Sequence, residues 1–221
     1  PADVPDSASD RYQMEMMLNW TTKPLMVVSN AFSGCVDAVA MAEAVAGGAE
    51  ALRERPLAAC YINVTTGLRH NEEALQKLLF LAEKALPAAY IPVALGGATA
   101  PITLAGNMAL WTAGCLVGLV LSQLTRPGAP FITTGWGASA LDMRTAISPY
   151  VEPEKEFIAQ ELAHSYALPM FALGGCSDSK LTDQQAGIEA ALSLMTKVLA
   201  GSHLVHDIGY LESGLSGSLA Q

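Results

Sequence analysis

The segment H-L-V-H-D-I-G-Y-L-E-S-G at 203–214 holds His203, His206, Asp207, Tyr210 and Glu212, the densest group of titratable side chains in the chain. Imidazole, carboxylate and phenol at the carboxyl end of a strand can relay protons or hold a charged ligand, so His206 and Glu212 are candidate catalytic residues. The plainer alternative makes His206 a satisfied core histidine and Glu212 an acid at a helix start. A second group, Gly174-Gly175-Cys176-Ser177-Asp178-Ser179-Lys180, leads to Asp183. Paired glycines let backbone approach a ligand closely. Asp183 suits a first helical turn, whereas Asp178 has no such local role and is the third catalytic candidate. Cys176 has no adjoining histidine and reads as packing rather than as a nucleophile. In the third group, 133–144, Trp136 stands between Gly135 and Gly137. It is either a cation–π surface or a plug packed into the mouth of the fold. Asp142 and Arg144 either pair with each other or meet a ligand. Asn30, Asn63, Thr65, Thr66, Arg69, Gly96, Gly97 and Thr99 add small polar groups to earlier loops.

No Ser/His/Asp order, H-E-x-x-H motif or paired-carboxylate spacing is present. Cys35, Cys60, Cys115 and Cys176 form no C-x-x-C pair. Neither a metal site nor a disulfide framework is expected, and a reduced, cytoplasmic protein is the plain reading.

These groups must be positioned by something, and the positioning elements recur. Short apolar runs at 25–29, 57–64, 90–95, 130–134, 168–173 and 203–207 each break into a Gly-, Ser-, Thr- or Asn-rich loop. Each starts about 30–40 residues after the last, the length of a strand–crossover–strand unit. Residues 1–10 read as loop and 11–20 as a Met-rich helix. A helix over 37–46 stops at Gly47-Gly48, and Asn71 can cap a helix over 72–86. Pro153 suits a first helical turn. Thr182 and Gln185 have capping-box spacing before a helical apolar stripe of Ile188, Ala191, Leu192, Met195, Val198 and Leu199 that stops at Gly201. Continuous apolar strands alternating with helices predict an α/β fold with a parallel sheet. No G-x-G-x-x-G or Walker lysine loop follows the first strand, which favours a (β/α)8 TIM barrel over an open doubly wound sheet. Residues 1–221 are expected to be a single partial barrel of about six β/α units. Ligands collect at the carboxyl ends of parallel strands, so the three groups above fall on the correct loops.

The chain has 221 residues, 51% hydrophobic and 15% charged, with a formal net charge of −9. Such a composition supports a large core and argues against nucleic-acid binding, which calls for a basic stripe. It is compatible with a cationic small substrate. The stretch 102–124 is long and apolar enough for a membrane span. However, Asn107, Thr112 and Gly106, Gly114 and Gly118 interrupt it, and no basic flank precedes it. A buried helix covered by another domain or subunit is the preferred reading, no membrane association is expected, and a homo-oligomer is suggested. No signal peptide is visible at the polar start, and a fragment of a longer protein is expected.

The motifs S-A-L-D-M-R-T at 139–145, G-G-C-S-D-S-K at 174–180 with D-Q-Q-A-G at 183–187, and H-D-I-G-Y-L-E-S-G at 206–214 resemble the trimethylamine methyltransferase family of corrinoid-dependent enzymes. The resemblance runs from Leu25 onward and implies a (β/α)8 barrel in a chain roughly twice this length. It implies methyl transfer from a small methylated amine to the Co(I) corrinoid of a partner protein, with no cofactor bound by this chain. Cobalt is the nucleophile, so the barrel's tasks are to hold the cation, orient one methyl group and exclude water. Gly97, Gly137, Gly174 and Gly175 then lie in loops facing the corrinoid. Trp136, Phe171 and Tyr210 are aromatic-cage candidates, and Asp142, Arg144 and Lys180 complete the substrate contacts, with Arg144 or Lys180 anchoring any substrate carboxylate. Some family members carry pyrrolysine, placed by the resemblance in the 174–180 loop, where this chain has only ordinary residues. A quaternary amine such as glycine betaine needs no such activation and is the expected substrate, with trimethylamine next. The alternatives are a catalytically idle barrel that binds betaine-like cations and a membrane fragment built on 102–124.

Overall fold

Each of the six apolar runs overlaps a strand. The computed structural model describes residues 4–135 and 137–221, and the side chains of all of these except 135, 137–139 and 153–156. The elements in order are α1 (Asp6–Trp20), β1 (Leu25–Val28), α2 (Phe32–Ala46), α3 (Ala49–Glu54), β2 (Ala58–Val64), α4 (Glu72–Lys84), β3 (Ala88–Pro92), β4 (Ala94–Gly96), α5 (Leu104–Thr125), β5 (Phe131–Gly135), β6 (Gly137–Ala140), α6 (Pro153–Ser165), β7 (Met170–Leu173), α7 (Gln184–Ala200), β8 (Leu204–His206), β9 (Tyr210–Leu211), a 3-10 turn (Glu212–Gly214) and β10 (Ser216–Gly217).

The main sheet has six strands in the order β1-β2-β3-β5-β7-β8. β1 pairs β2, β5 pairs β7 and β7 pairs β8, all in parallel. A doubly wound sheet requires a reversal in strand order, and this order has none, so that alternative fails. The short strands β4 and β6 pair in parallel, and β9 and β10 form an antiparallel pair. Sequence reasoning did not anticipate these four strands.

The residues fall into two compact units: 1–64, 70–90 and 117–131 in the first; 65–69, 91–116 and 132–221 in the second. In the first unit, Met14, Leu52, Ile62, Leu78, Leu81 and Tyr90 are almost fully buried in one core. The Tyr90 hydroxyl lies 2.6 Å from His70 Nδ1. Gly118 in α5 makes room for the tyrosine, because a Cβ there would come within 2.4 Å of the Tyr90 ring. α4 buries Ala74, Leu78, Leu81 and Ala82. It also buries Lys77, whose ammonium donates to the carbonyls of Ser29 and Asn30 at 2.7 and 3.3 Å.

Two helix starts differ from expectation, each for a tertiary reason. α1 begins at Asp6 rather than Arg11. Its Asp10 carboxylate accepts from the backbone N–H groups of Asn30 and Ala31, which fixes the polar segment as helix. α2 begins at Phe32 rather than Asp37. Its first amide donates to Glu73 Oε1 at 3.1 Å, a cap supplied from another helix. The Gly47 stop is as expected, in the left-handed conformation that glycine permits.

In the second unit, Met108, Trp111 and Cys115 of α5 pack with Ala159 and Ala163 of α6 and with Met170 and Ala172 of β7. Trp111 Nε1 donates to the Thr134 carbonyl at 3.0 Å. α5 is the one helix among the described residues long and apolar enough to cross a membrane, and 33% of its most apolar window is buried. It is therefore a partly covered helix, with Val117, Val120 and Leu124 exposed. α6 starts at Pro153 as expected.

α7 departs twice from the sequence reading. Its cap is Asp183, whose carboxylate accepts from the Ala186 amide at 3.0 Å. The expected Thr182–Gln185 box does not form; Thr182 donates to Ser218 Oγ and Gln185 to Glu189 Oε1. The apolar stripe also faces outward: Ile188, Met195, Val198 and Leu199 are more than half exposed, while Ser193, Thr196 and Lys197 are buried. Small and hydrogen-bonding side chains occupy the buried side because Gly174 and Gly175 bring backbone close to it, as the Gly175 N–H donating to Ser193 Oγ shows.

Candidate functional site

All three groups singled out by residue type lie in the second unit, on segments that follow the carboxyl ends of β5, β7 and β8. The segment after β7 turns at Gly175, which has φ +74. A Cβ there would lie 2.9 Å from Ile208 Cγ1, so both the conformation and the contact require glycine. Beyond the turn, this segment joins the one after β8 through backbone bonds. Ser177 N–H donates to the Tyr210 carbonyl, Glu212 N–H to Ser179, and Ser213 N–H to Ser177, at 2.8, 2.8 and 3.3 Å.

Glu189 of α7 supports the segment from beneath. Its Oε2 accepts from Ser177 Oγ at 2.6 Å and from the Asp178 amide at 2.9 Å. Burial pushes its carboxyl up, but donation from Ser177, Asp178, Gln185 and Ser179 outweighs this and holds it below the usual glutamate range. Asp178 Oδ1 in turn accepts from the Tyr150 amide at 2.8 Å and from Ser213 Oγ at 2.7 Å. The Tyr150 hydroxyl donates to Asp207 Oδ2 at 3.3 Å, and Asp207 Oδ1 lies 2.8 Å from His206 Nδ1. His206 packs on Phe171 with ring centroids 4.1 Å apart. Asp207, Glu212 and Ser213 all adopt positive φ without being glycine. Such residues cost about 1–3 kcal/mol each and collect at functional sites, held by the surrounding bonds.

These bonds frame a cavity of about 310 Å³. Leu141, Ile147, Ser148 and Tyr150 line it on the segment after β6, Ser213 and Leu215 on the segment after β8, and Leu95 on β4. None of its described lining residues is charged, and its size is that of a small-ligand site.

The sequence candidates divide by position. Asp178 and His206 belong to one connected network, and Phe171 is buried beside His206. Glu212 stands apart from the cavity lining and pairs with Lys180 at 3.3 Å; the lysine is exposed. Asp142 and Arg144 do pair, at 3.3 Å, and the arginine side chain is exposed. The Arg144 amide and guanidinium hold the Asp142 carboxyl below its ordinary range. Tyr210 is an exposed ring on β9. Gly97 is an exposed turn residue, Gly137 pairs with Ala94, and Gly174 and Gly175 are buried. Trp136 lies outside the described residues. Cys176 is buried, as its packing role requires, with Sγ 3.8 Å from the Tyr150 carbonyl. No group of three or more His, Cys, Asp or Glu able to hold a metal occurs among the described residues.

Tyr150, Glu189 and Ser213 were not anticipated. Glu189 carried a weak signal, as an isolated acid inside an apolar helix. Tyr150 and Ser213 carried none, since their partner lies 28 and 35 residues away.

The chain is similar in sequence to known proteins along its whole length. Residues 1–221 match the trimethylamine methyltransferase (MTTB) family. The chain is 34% identical over 224 residues to the trimethylamine methyltransferase MttB of Desulfitobacterium hafniense (strain DSM 10664 / DCB-2), covering 100% of this chain and 45% of that protein. It is 31% identical to the glycine betaine methyltransferase of Desulfitobacterium hafniense (strain Y51), covering 96% and 45%. Identity to MttB of Methanosarcina thermophila is 32%, covering 79% and 37%. The chain thus spans less than half the length of these relatives. With the family matched along all 221 residues, and its three motifs on neighbouring segments of one unit, the chain belongs to the trimethylamine methyltransferase family.

Proposed function

We propose that the whole protein completes a (β/α)8 barrel and moves a methyl group from a methylated amine to the Co(I) corrinoid of a partner protein, in the cytoplasm and without a cofactor of its own. The observation that carries this reading is the 310 Å³ cavity, because the three family motifs converge on it. Leu141 comes from the first motif, Ser213 and Gly214 from the third, and Asp178 of the second holds two of the lining residues.

The chemistry suits those walls. Cobalt donates the electron pair that forms the new bond to carbon, and the pair of the broken C–N bond leaves with the amine. The chain therefore needs no nucleophile; it must hold a cation with one methyl group exposed and keep water away. Uncharged, largely apolar walls suit N-methyl groups, and the carboxylate of Asp207 behind them favours positive charge. A quaternary amine is the preferred substrate. Its nitrogen departs as a neutral amine without prior protonation, and the 174–180 loop offers only ordinary side chains. A substrate carboxylate would draw Arg144 or Lys180 from its present acid partner.

The test mixes the full-length protein with reduced corrinoid protein and a panel of quaternary and tertiary amines, following the cobalt absorption spectrum. Methylation of cobalt by at least one quaternary amine is expected. A silent panel overturns the proposal, and calorimetric binding without any demethylated product would turn it into a cation-binding barrel.

A further inference from the structure

We infer that Asp178 is a positioning residue that ties together two walls of the cavity and acts as a hydrogen-bond acceptor rather than as a charge. One oxygen, Oδ1, receives both the Tyr150 amide at 2.8 Å and Ser213 Oγ at 2.7 Å. Tyr150 and Ser213 line the cavity on different segments, 63 residues apart in sequence, and Asp178 does not line it. Its carboxylate is thus the junction at which the segment after β6 meets the segment after β8.

The junction is built from both sides. Glu189 fixes Asp178 through its own amide at 2.9 Å. Ser213 is held in the left-handed conformation, φ +54, with its amide on the Ser177 carbonyl. Tyr150 makes a second attachment through its hydroxyl to Asp207. With the acceptor gone, the Tyr150 amide and the Ser213 hydroxyl lose a charge-assisted bond each, and the 142–150 segment is held less firmly. An asparagine in the same rotamer presents an oxygen at the same place, so the geometry survives the loss of charge.

The inference rests on the proposed methyl transfer for its kinetic readout but not for its structural one. In the full-length protein, Asp178→Ala should raise KM for the methylated amine by about tenfold and change kcat much less. Asp178→Asn should stay within about threefold of the parent in both. Ser213→Ala removes one of the two donors and should fall between them; it carries the test if Asp178→Ala does not fold. Amide hydrogen exchange over 142–150 should rise in Asp178→Ala and in Ser213→Ala and stay at the parent level in Asp178→Asn.

An asparagine variant as impaired as the alanine variant would assign Asp178 a charge role and overturn the inference. Unchanged exchange over 142–150 in both Asp178→Ala and Ser213→Ala would also overturn it. If no amine methylates cobalt in the parent, the proposed function fails while the exchange comparison still decides the positioning role.

Discussion

Replacing Glu189 by alanine removes the support beneath the 174–180 segment. Two of its bonds matter most: Ser177 Oγ at 2.6 Å, from a residue that is fully buried, and the Asp178 amide at 2.9 Å. Another, from Gln185 at 2.9 Å, is exposed and one helical turn away, a geometry that contributes only a few tenths of a kcal/mol. Hydrogen bonds to charged groups contribute roughly 1.5–3 kcal/mol each, giving an upper figure of about 6 kcal/mol for the two. Glu189 is only half-buried, so water can reach part of the vacated space and the expected loss falls to about 2–3 kcal/mol. In a full-length protein of more than twice this length, as the relatives are, that corresponds to a drop in Tm of about 2–3 °C. Glu189→Gln keeps one acceptor oxygen but not the charge and should lose about half as much.

The pH dependence supplies a second check on the same bonds. The Glu189 carboxyl is held below its ordinary value in the folded protein, so its contribution is fully present above the unfolded value. That contribution is lost as pH falls through the lower, folded value. The melting difference between the parent and Glu189→Gln should therefore be constant near neutrality and shrink in acid, as the parent becomes protonated. Scanning calorimetry at a series of pH values would read both effects. A Glu189→Ala protein that melts with the parent at neutral pH, or a gap to Glu189→Gln that persists unchanged into strong acid, refutes the reasoning.

Gly175→Ala combines a left-handed backbone with a Cβ 2.9 Å from Ile208 and should cost about 2 kcal/mol, read as a lower urea midpoint. Gly118→Ala drives a methyl group to within 2.4 Å of the Tyr90 ring and should cost about 1–3 kcal/mol by overpacking, with crowding visible as a change in Tyr90 near-UV dichroism. Burial pushes the Cys115 thiol well above its ordinary range, so iodoacetamide should leave Cys115 unmodified in native protein at pH 8 and label it after denaturation. Equal labelling in both states, seen by peptide mass spectrometry, would contradict its burial.

Much of the framework was legible because it follows from local rules. β3 and β7 are buried along their whole length, and strands covered on both faces must read as unbroken apolar runs. Pro153 opening α6 and Gly47 and Gly201 closing α2 and α7 depend on one residue's φ and on its own N–H. The strands β4, β6, β9 and β10 were missed because each is defined by pairing with a partner rather than by its own residues. The α7 stripe showed its helical period but not its direction. Period identifies a face, whereas the Gly174-Gly175 backbone packing against Ser193 decides which face turns inward.

The candidate site divides along the same line. Residue type and spacing marked Asp178, His206 and Glu212 as chemically able and placed them at strand ends, where parallel sheets gather their ligands. The three motifs were enough to indicate the family. Yet Asp178 and His206 enter one network through Tyr150 and Asp207, while Glu212 turns to Lys180. A carboxylate's chemistry is written in its residue type. What it accepts from depends on donors 28 and 35 residues distant, and only the folding of separate strand ends onto one another brings those donors within 3 Å.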